Sequence, residues 1–174
     1  MRFAVFAFSA LTAFAQAPAE KLAPYVPTPP IVVERMLKLG GLQPGEKMFD
    51  LGSGDGRLVI MAAKKFKADA AGVEIDEKLC RESSDQIRKL KLENRARIIC
   101  GDILTQDYSQ ADLLTVYLFT GSNEKIRPLL EKQLRKGARV VTHDFEFANW
   151  KADKIELVED DGEGRSHTLF YYLR

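Results

Sequence analysis

The stretch Asp50-Leu-Gly-Ser-Gly-Asp-Gly-Arg57 decides the fold through what stands on either side of it. Before it, Lys47-Met-Phe-Asp-Leu51 is a short apolar strand, and after it Arg57 to Lys67 carries helical periodicity. A glycine-rich turn between strand and helix lets backbone N–H groups approach a ligand closely. The carboxyl end of a strand is also where open α/β sheets bind their ligands. The spacing is Gly-x-Gly-x-Gly, with Arg57 where a dinucleotide-binding loop carries its third small residue. Asp55 at the helix start argues against a pyrophosphate, because the positive end of the helix dipole would already face a carboxylate.

Working outward, the pattern repeats. Upstream, a Pro-rich connector (Pro24, Pro27, Pro29, Pro30) leads into apolar positions Ile31, Val32, Met36, Leu37 and Leu39, a helix that Thr28 is expected to cap and Gly40-Gly41 to end. Downstream come a strand over Ala70–Ile75, a helix over Glu77–Lys91, strands over Arg97–Cys100 and Ala111–Leu118, and a helix over Asn123–Arg135. Ala138–His143 is the fifth strand. Ile155–Val158 and Thr168–Leu173 close the chain, joined by the turn-rich Asp160-Asp-Gly-Glu-Gly164. Strands alternate with helices through the first five, then two strands follow without one. That predicts an α/β sandwich: a parallel sheet covered on both faces and ending in a hairpin.

Three carboxylates flank the glycine turn. Glu74 ends the second strand, 22 residues after Gly52, where a carboxylate accepts both hydroxyls of a ribose. Asp102, in Gly101-Asp102-Ile103, follows the third strand, in position to hydrogen-bond an adenine amino group. Asp50 precedes the turn and can hold a cationic amino-acid moiety, directly or through water. Each of these alone reads as a helix cap, a turn cap or a solvated strand end. Together, and in order with Gly52, Ser53, Gly54 and Gly56, they imply S-adenosylmethionine as the ligand.

Composition narrows the field. The chain has 174 residues, 45% hydrophobic and 29% charged, the profile of one soluble domain. Its 26 basic and 25 acidic residues leave no global basic field, so a nucleic-acid partner is not expected. Cys80 and Cys100 cannot make a disulfide framework and read as small buried hydrophobes. With two histidines, His143 and His167, and no Cys-x-x-Cys, no metal site is expected.

The first residues stand apart. Met1-Arg2 and the apolar run Phe3–Ala15 read as a signal-peptide-like segment, too short to span a bilayer comfortably, which takes roughly 20 residues. Cleavage is expected after Ala15; loss of Arg2 would lower the 26 basic residues to 25, equal to the 25 acidic ones. An uncleaved anchor and a misassigned start codon are the other readings. The expected division is a signal-like segment over 1–15, a Pro-rich connector over 16–27 and one domain over 28–174. Localisation stays open. The N-terminus points to export or membrane association, whereas S-adenosylmethionine is a cytosolic metabolite.

These residues resemble the class I (seven-β-strand) methyltransferases. More narrowly, the chain is similar to the small bacterial and mitochondrial protein-lysine methyltransferases that modify the c-ring protein of ATP synthase and the adenine nucleotide translocase. The resemblance is carried by Pro24-Tyr-Val-Pro-Thr28, Asp50–Arg57, Gly72-Val-Glu-Ile-Asp76, Thr115-Val-Tyr-Leu118, Asn123, and Arg139-Val-Val-Thr-His-Asp-Phe145 with Trp150. It implies a Rossmann-like three-layer sandwich with sheet order 3-2-1-4-5-7-6, strand 7 antiparallel, and the cofactor at the tips of strands 1, 2 and 3.

The function implied is transfer of a methyl group to lysine of a protein substrate, which could be membrane-associated, by a monomeric enzyme. The alternatives are a small-molecule methyltransferase and a non-catalytic S-adenosylmethionine-binding module. Cofactor contacts are expected from Tyr25, folding over from the N-terminal side, and from Asp50, Gly52, Ser53, Gly54, Gly56, Glu74, Asp102, Ile103 and Tyr117. Tyr117 and Asn123 are expected to face the transferred methyl, and His143 to line the mouth as a proton acceptor. The other reading of His143, and the commoner one for such a residue, is a hydrogen-bonded strand-end histidine, and Trp150 reads as either pocket wall or core.

Overall fold

The computed structural model describes residues 21–174; the signal-like segment over 1–15 lies outside the described residues. The elements run α1 (Pro30–Leu39), β1 (Lys47–Leu51), α2 (Arg57–Met61, continued by a π-helical turn over Ala62–Phe66), β2 (Asp69–Glu74), α3 (Glu77–Lys89) and β3 (Ala96–Cys100). After a 3-10 turn over Ile103–Thr105 come β4 (Leu113–Val116), α4 (Thr120–Gln133), β5 (Arg139–His143), β6 (Lys154–Val158) and β7 (His167–Leu173).

The strands form one sheet in the order β3-β2-β1-β4-β5-β7-β6. The first five are parallel, and β7 lies antiparallel between β5 and β6. Side chains alternate across it, as strand geometry requires. Met48 joins Val33, Met36, Val59 and Ile87 in the apolar layer under α1, α2 and α3, while its neighbour Phe49 joins Val73, Leu114, Ile126 and Leu130 under α4. Both faces of the central strands are buried, which is why they read as continuous apolar runs.

Several local expectations change. Thr28 does not cap α1: Pro29 occupies the cap position without a side-chain bond, and the Thr28 hydroxyl lies 3.3 Å from His143 Nδ1 instead. Helix α4 starts at Thr120, three residues before the expected Asn123. Strand β4 stops at Val116, which leaves Tyr117 and Leu118 in the loop above the sheet. Trp150 is core: it packs on Phe147 and Tyr172, and its indole N–H donates to Glu131 at 2.8 Å.

The cysteines are a correction. Cys80 of α3 and Cys100 at the end of β3 form a disulfide, their Cα atoms 5.6 Å apart. Only Cys80 is buried, while Cys100 is exposed. Helix α3 packs directly against β3, so the fold closes a separation that the sequence shows only as 20 residues.

Candidate active site

The glycine turn leaves β1 with Gly52, Gly54 and Gly56 all at positive φ (78°, 54° and 77°), the left-handed region where a side chain would be strained. Gly52 and Ser53 N–H both donate to the Val73 carbonyl at 3.0 Å, folding the turn back over β2. Glu74 then fixes its rim. One carboxylate oxygen accepts from Gly54 N at 2.7 Å, the other from Asp76 N at 2.8 Å. The carboxylate is thus held in one orientation with lone pairs to spare for two hydroxyls.

A cleft opens above this turn. Of the expected cofactor residues, Tyr25, Asp50, Gly52, Ser53, Gly54, Glu74, Asp102, Ile103 and Tyr117 line it. Gly56 does not line it; it is where the turn meets α3, and a Cβ there would lie 3.1 Å from Ser83 Cβ. Asp50 Oδ1 accepts the Thr115 hydroxyl at 2.7 Å, but its Oδ2 and the Ser53 hydroxyl are buried without a partner. Unsatisfied buried polar atoms facing a cleft mark where a ligand's polar groups go. Burial pushes the Asp50 carboxyl up to about 7, against the Thr115 bond and helped by the charges of Glu74 and Asp55. This donor set fits S-adenosylmethionine, with a cation for Asp50, ribose hydroxyls for Glu74 and an adenine edge beside Asp102.

The Pro-rich segment is a wall of the cleft, not a mere connector. Residues 21–28 run along it, held by Ser122 Oγ donating to the Leu22 carbonyl at 2.6 Å. A Cβ on Gly54 would come within 2.5 Å of the Tyr25 ring, so tyrosine and glycine turn meet face to face. Arg57 ties them together, donating to the Thr28 carbonyl at 2.7 Å and to both oxygens of Asp55. Burial resists ionisation of Asp55, yet the Arg57 guanidinium outweighs it and holds the carboxyl below its usual value. Sequence reasoning missed Thr28 and Arg57 as cleft residues. The signal for Arg57 was its bulk at a position where a small residue is expected.

Tyr117 stands at the inner wall of the cleft, its ring 3.9 Å from that of His143. His143 itself is fully buried behind it and does not line the cleft. Burial lowers its pKa to about 4, with the Asp144 charge opposing and His167 reinforcing the shift. Asn123 is also placed elsewhere. It is fully buried on α4, donating to the carbonyls of Phe145 and Glu146 at 3.0 and 3.3 Å, a clamp on the chain leaving β5. The structure therefore brings Tyr117 alone of the three expected catalytic residues to the cleft.

The profile of the ANTKMT methyltransferase domain matches residues 50–154. A protein-lysine N-methyltransferase of Saccharolobus islandicus is 42% identical over 86% of this chain and 92% of its own. The human lysine N-methyltransferase of the ATP synthase C protein is 29% identical over 76% of this chain and 56% of its own length. Among solved structures, an RNA methyltransferase from Salinibacter ruber in complex with S-adenosyl-L-homocysteine superposes with a TM-score of 0.78 at 36% identity, covering 85% of this chain and 93% of that one. On the profile match and on identity spanning nearly all of the archaeal relative, this chain belongs to the ANTKMT methyltransferase domain family and uses S-adenosyl-L-methionine.

Proposed function

We propose that the enzyme methylates the side-chain amine of lysine in a protein substrate. The observation that carries this reading is the rim of the cleft. Tyr25 and Val26 on one side, and Phe119 next to Leu118 on the other, are 42%, 55% and 47% exposed. An open apolar rim suits a long aliphatic side chain offered by a macromolecule. It also favours the form of lysine that reacts: the ammonium, with an unperturbed pKa of about 10.4, loses stability as it is desolvated. The 42% identity to a protein-lysine N-methyltransferase supports the same substrate class.

Bound S-adenosylmethionine supplies a methyl group already activated on a sulfonium. The chain's own residues position and exclude water, an effect worth up to roughly 7–11 kcal/mol in well-oriented cases. Burial first, and the Asp144 charge next, push the Tyr117 phenol up, so it stays neutral near pH 7. Its oxygen accepts a hydrogen bond from the arriving amine and aims the nitrogen lone pair. The N–C bond forms as the S–C bond breaks, and the proton on the methylated amine leaves to water through the open rim.

The likeness to an RNA methyltransferase of Salinibacter ruber favours a second acceptor, RNA. Near-equal numbers of basic and acidic residues oppose it, since phosphate contacts supply much of nucleic-acid affinity. Tritiated-methyl S-adenosylmethionine, incubated with the full chain and separate membrane-protein, soluble-protein, RNA and metabolite fractions, decides. Base-stable label that hydrolyses to methyl-lysine is expected in a protein fraction. Label confined to RNA or to metabolites would overturn the reading. So would cofactor binding without transfer to any fraction.

A further inference from the structure

Behind Tyr117, outside the cleft lining, three potential ligand atoms converge. Nε2 of His143 lies 2.9 Å from Nδ1 of His167, which lies 2.9 Å from Oδ2 of Asp144; that oxygen is 3.3 Å from His143 Nε2. Donor atoms about 2.0–2.2 Å from one ion stand about 2.8–3.6 Å from each other, whether the ion is six- or four-coordinate. The triangle has those edges.

The far side of His167 adds a second geometric observation. Nε2 of His167 faces Oδ2 of Asp161 at 3.2 Å. The Asp161 carboxylate already accepts from the N–H groups of Glu163 and Arg165 and from the Arg165 guanidinium, so this ring nitrogen carries the hydrogen. On its other side Nδ1 of His167 faces Oδ2 of Asp144 at 2.9 Å, so carboxylates draw positive charge to the ring from both sides, and that charge is either a second ring proton or a metal ion at the triangle.

The outer contacts fit as well. Thr28 Oγ1 lies 3.3 Å from the other nitrogen of His143, and Asp161 holds the other nitrogen of His167. Hydroxyl or carboxylate partners on the far side of a ring fix the tautomer and raise the basicity of a ligating histidine. The second oxygen of Asp144 accepts from Thr168 N at 2.8 Å, and its backbone is left-handed (φ 59°), which bends the chain as it leaves β5.

We propose that His143, Asp144 and His167 bind one divalent transition-metal ion, of the zinc class that imidazole and carboxylate ligands suit. Side-chain exposures of 0%, 28% and 11% leave the Asp144 side for water to complete the sphere. The ion is a positioning group: it fixes the His143 ring on which Tyr117 stacks. The assignment reverses the expectation drawn from counting histidines and cysteines. Two histidines and one aspartate suffice, and the sheet brings together residues 24 positions apart.

The test uses the full chain without a histidine tag, stripped with a chelator and titrated with Co²⁺, then with Zn²⁺. One Co²⁺ per chain is expected, with visible d–d absorption that Zn²⁺ displaces. Asp144→Asn and His167→Gln should each weaken Co²⁺ binding at least about 100-fold, ligand loss exceeding the 10–100-fold cost of disturbing an outer partner. Both variants should still bind S-adenosylhomocysteine, which shows that they fold. Absence of saturable Co²⁺ binding, or equal affinity in both variants, overturns the site. So does an NMR spectrum of the Zn²⁺-treated protein in which the His167 ring is protonated on both nitrogens, since a proton then owns the triangle.

Discussion

The guanidinium of Arg57 donates to the carbonyl oxygen of Thr28 at 2.7 Å, joining the glycine turn to the segment that lies over it. Arg57 is also paired with Asp55 at 2.6 Å, so the bond is charged on one side and anchored on the other. Cofactor entry and exit therefore pass a latched wall.

Arg57→Gln should open that latch. A hydrogen bond to a charged group contributes about 1.5–3 kcal/mol, and the guanidinium here is partly exposed, so the lower end applies. S-adenosylhomocysteine is expected to bind about 10-fold more weakly by calorimetry, with most of the loss in a faster dissociation rate. An unchanged dissociation rate would mean that the wall is held by its other contacts.

Asp50 gives the free and bound protein opposite responses to pH. Burial raises its pKa to about 7 in the fold, against about 3.9 in an unfolded chain. The folded protein holds the extra proton between those values, so this group's contribution to stability declines as pH rises from about 4 to about 7. A cationic ligand beside Asp50 needs the ionised form. Affinity for S-adenosylmethionine should therefore climb between pH 6 and 8, with proton release on binding visible in calorimetry across buffers of different ionisation enthalpy. Asp50→Asn should bind weakly and lose both dependences.

Tyr117→Phe keeps the ring stacked 3.9 Å from His143 and removes only the hydroxyl. Turnover should fall at least about 10-fold, the scale of one hydrogen bond to a charged or charging group. Cofactor affinity should change less than about 3-fold. Equal losses in both would place the hydroxyl on the cofactor rather than on the acceptor.

The Cys80–Cys100 disulfide closes a loop of 20 residues, which in the chain-entropy account stabilises by about 3 kcal/mol. For a chain of this size that corresponds to roughly 6–12 °C in Tm. A reductant should lower Tm by that order in the wild type and leave the Cys80→Ser, Cys100→Ser double variant unmoved. A wild type indifferent to reductant would show that the bond contributes little.

Most of the architecture is legible because it is written in local patterns. Apolar runs and turn residues give β1 at its observed bounds and the other strands within a few residues, and the sheet order follows from the resemblance those motifs carry. What local pattern cannot show is which partner a polar side chain finds across the fold. Thr28 has a cap's sequence position but meets His143, 115 residues away. Asn123 follows the fourth strand as a substrate-facing residue would, yet the early start of α4 turns it inward onto the carbonyls of Phe145 and Glu146. Arg57 is visible as a misfit in the glycine motif, but its acceptor, the Thr28 carbonyl, lies just past the segment that reads as a linker.

The sheet order has a final consequence. Asp102, Glu74, Asp50, Tyr117 and His143 lie at or just beyond the carboxyl ends of β3, β2, β1, β4 and β5, which are successive neighbours, Asp50 being the last residue but one of β1. With strands about 4.8 Å apart, these residues form a row about 19 Å long, a ruler with one graduation per strand. Changes on adjacent graduations, such as Asp50 and Glu74, whose charges interact, combine non-additively, whereas Asp102 and His143 lie too far apart to couple directly. A change at Tyr117, beyond β4, can therefore alter one end of the cleft while the graduations at β2 and β3 stay as they are.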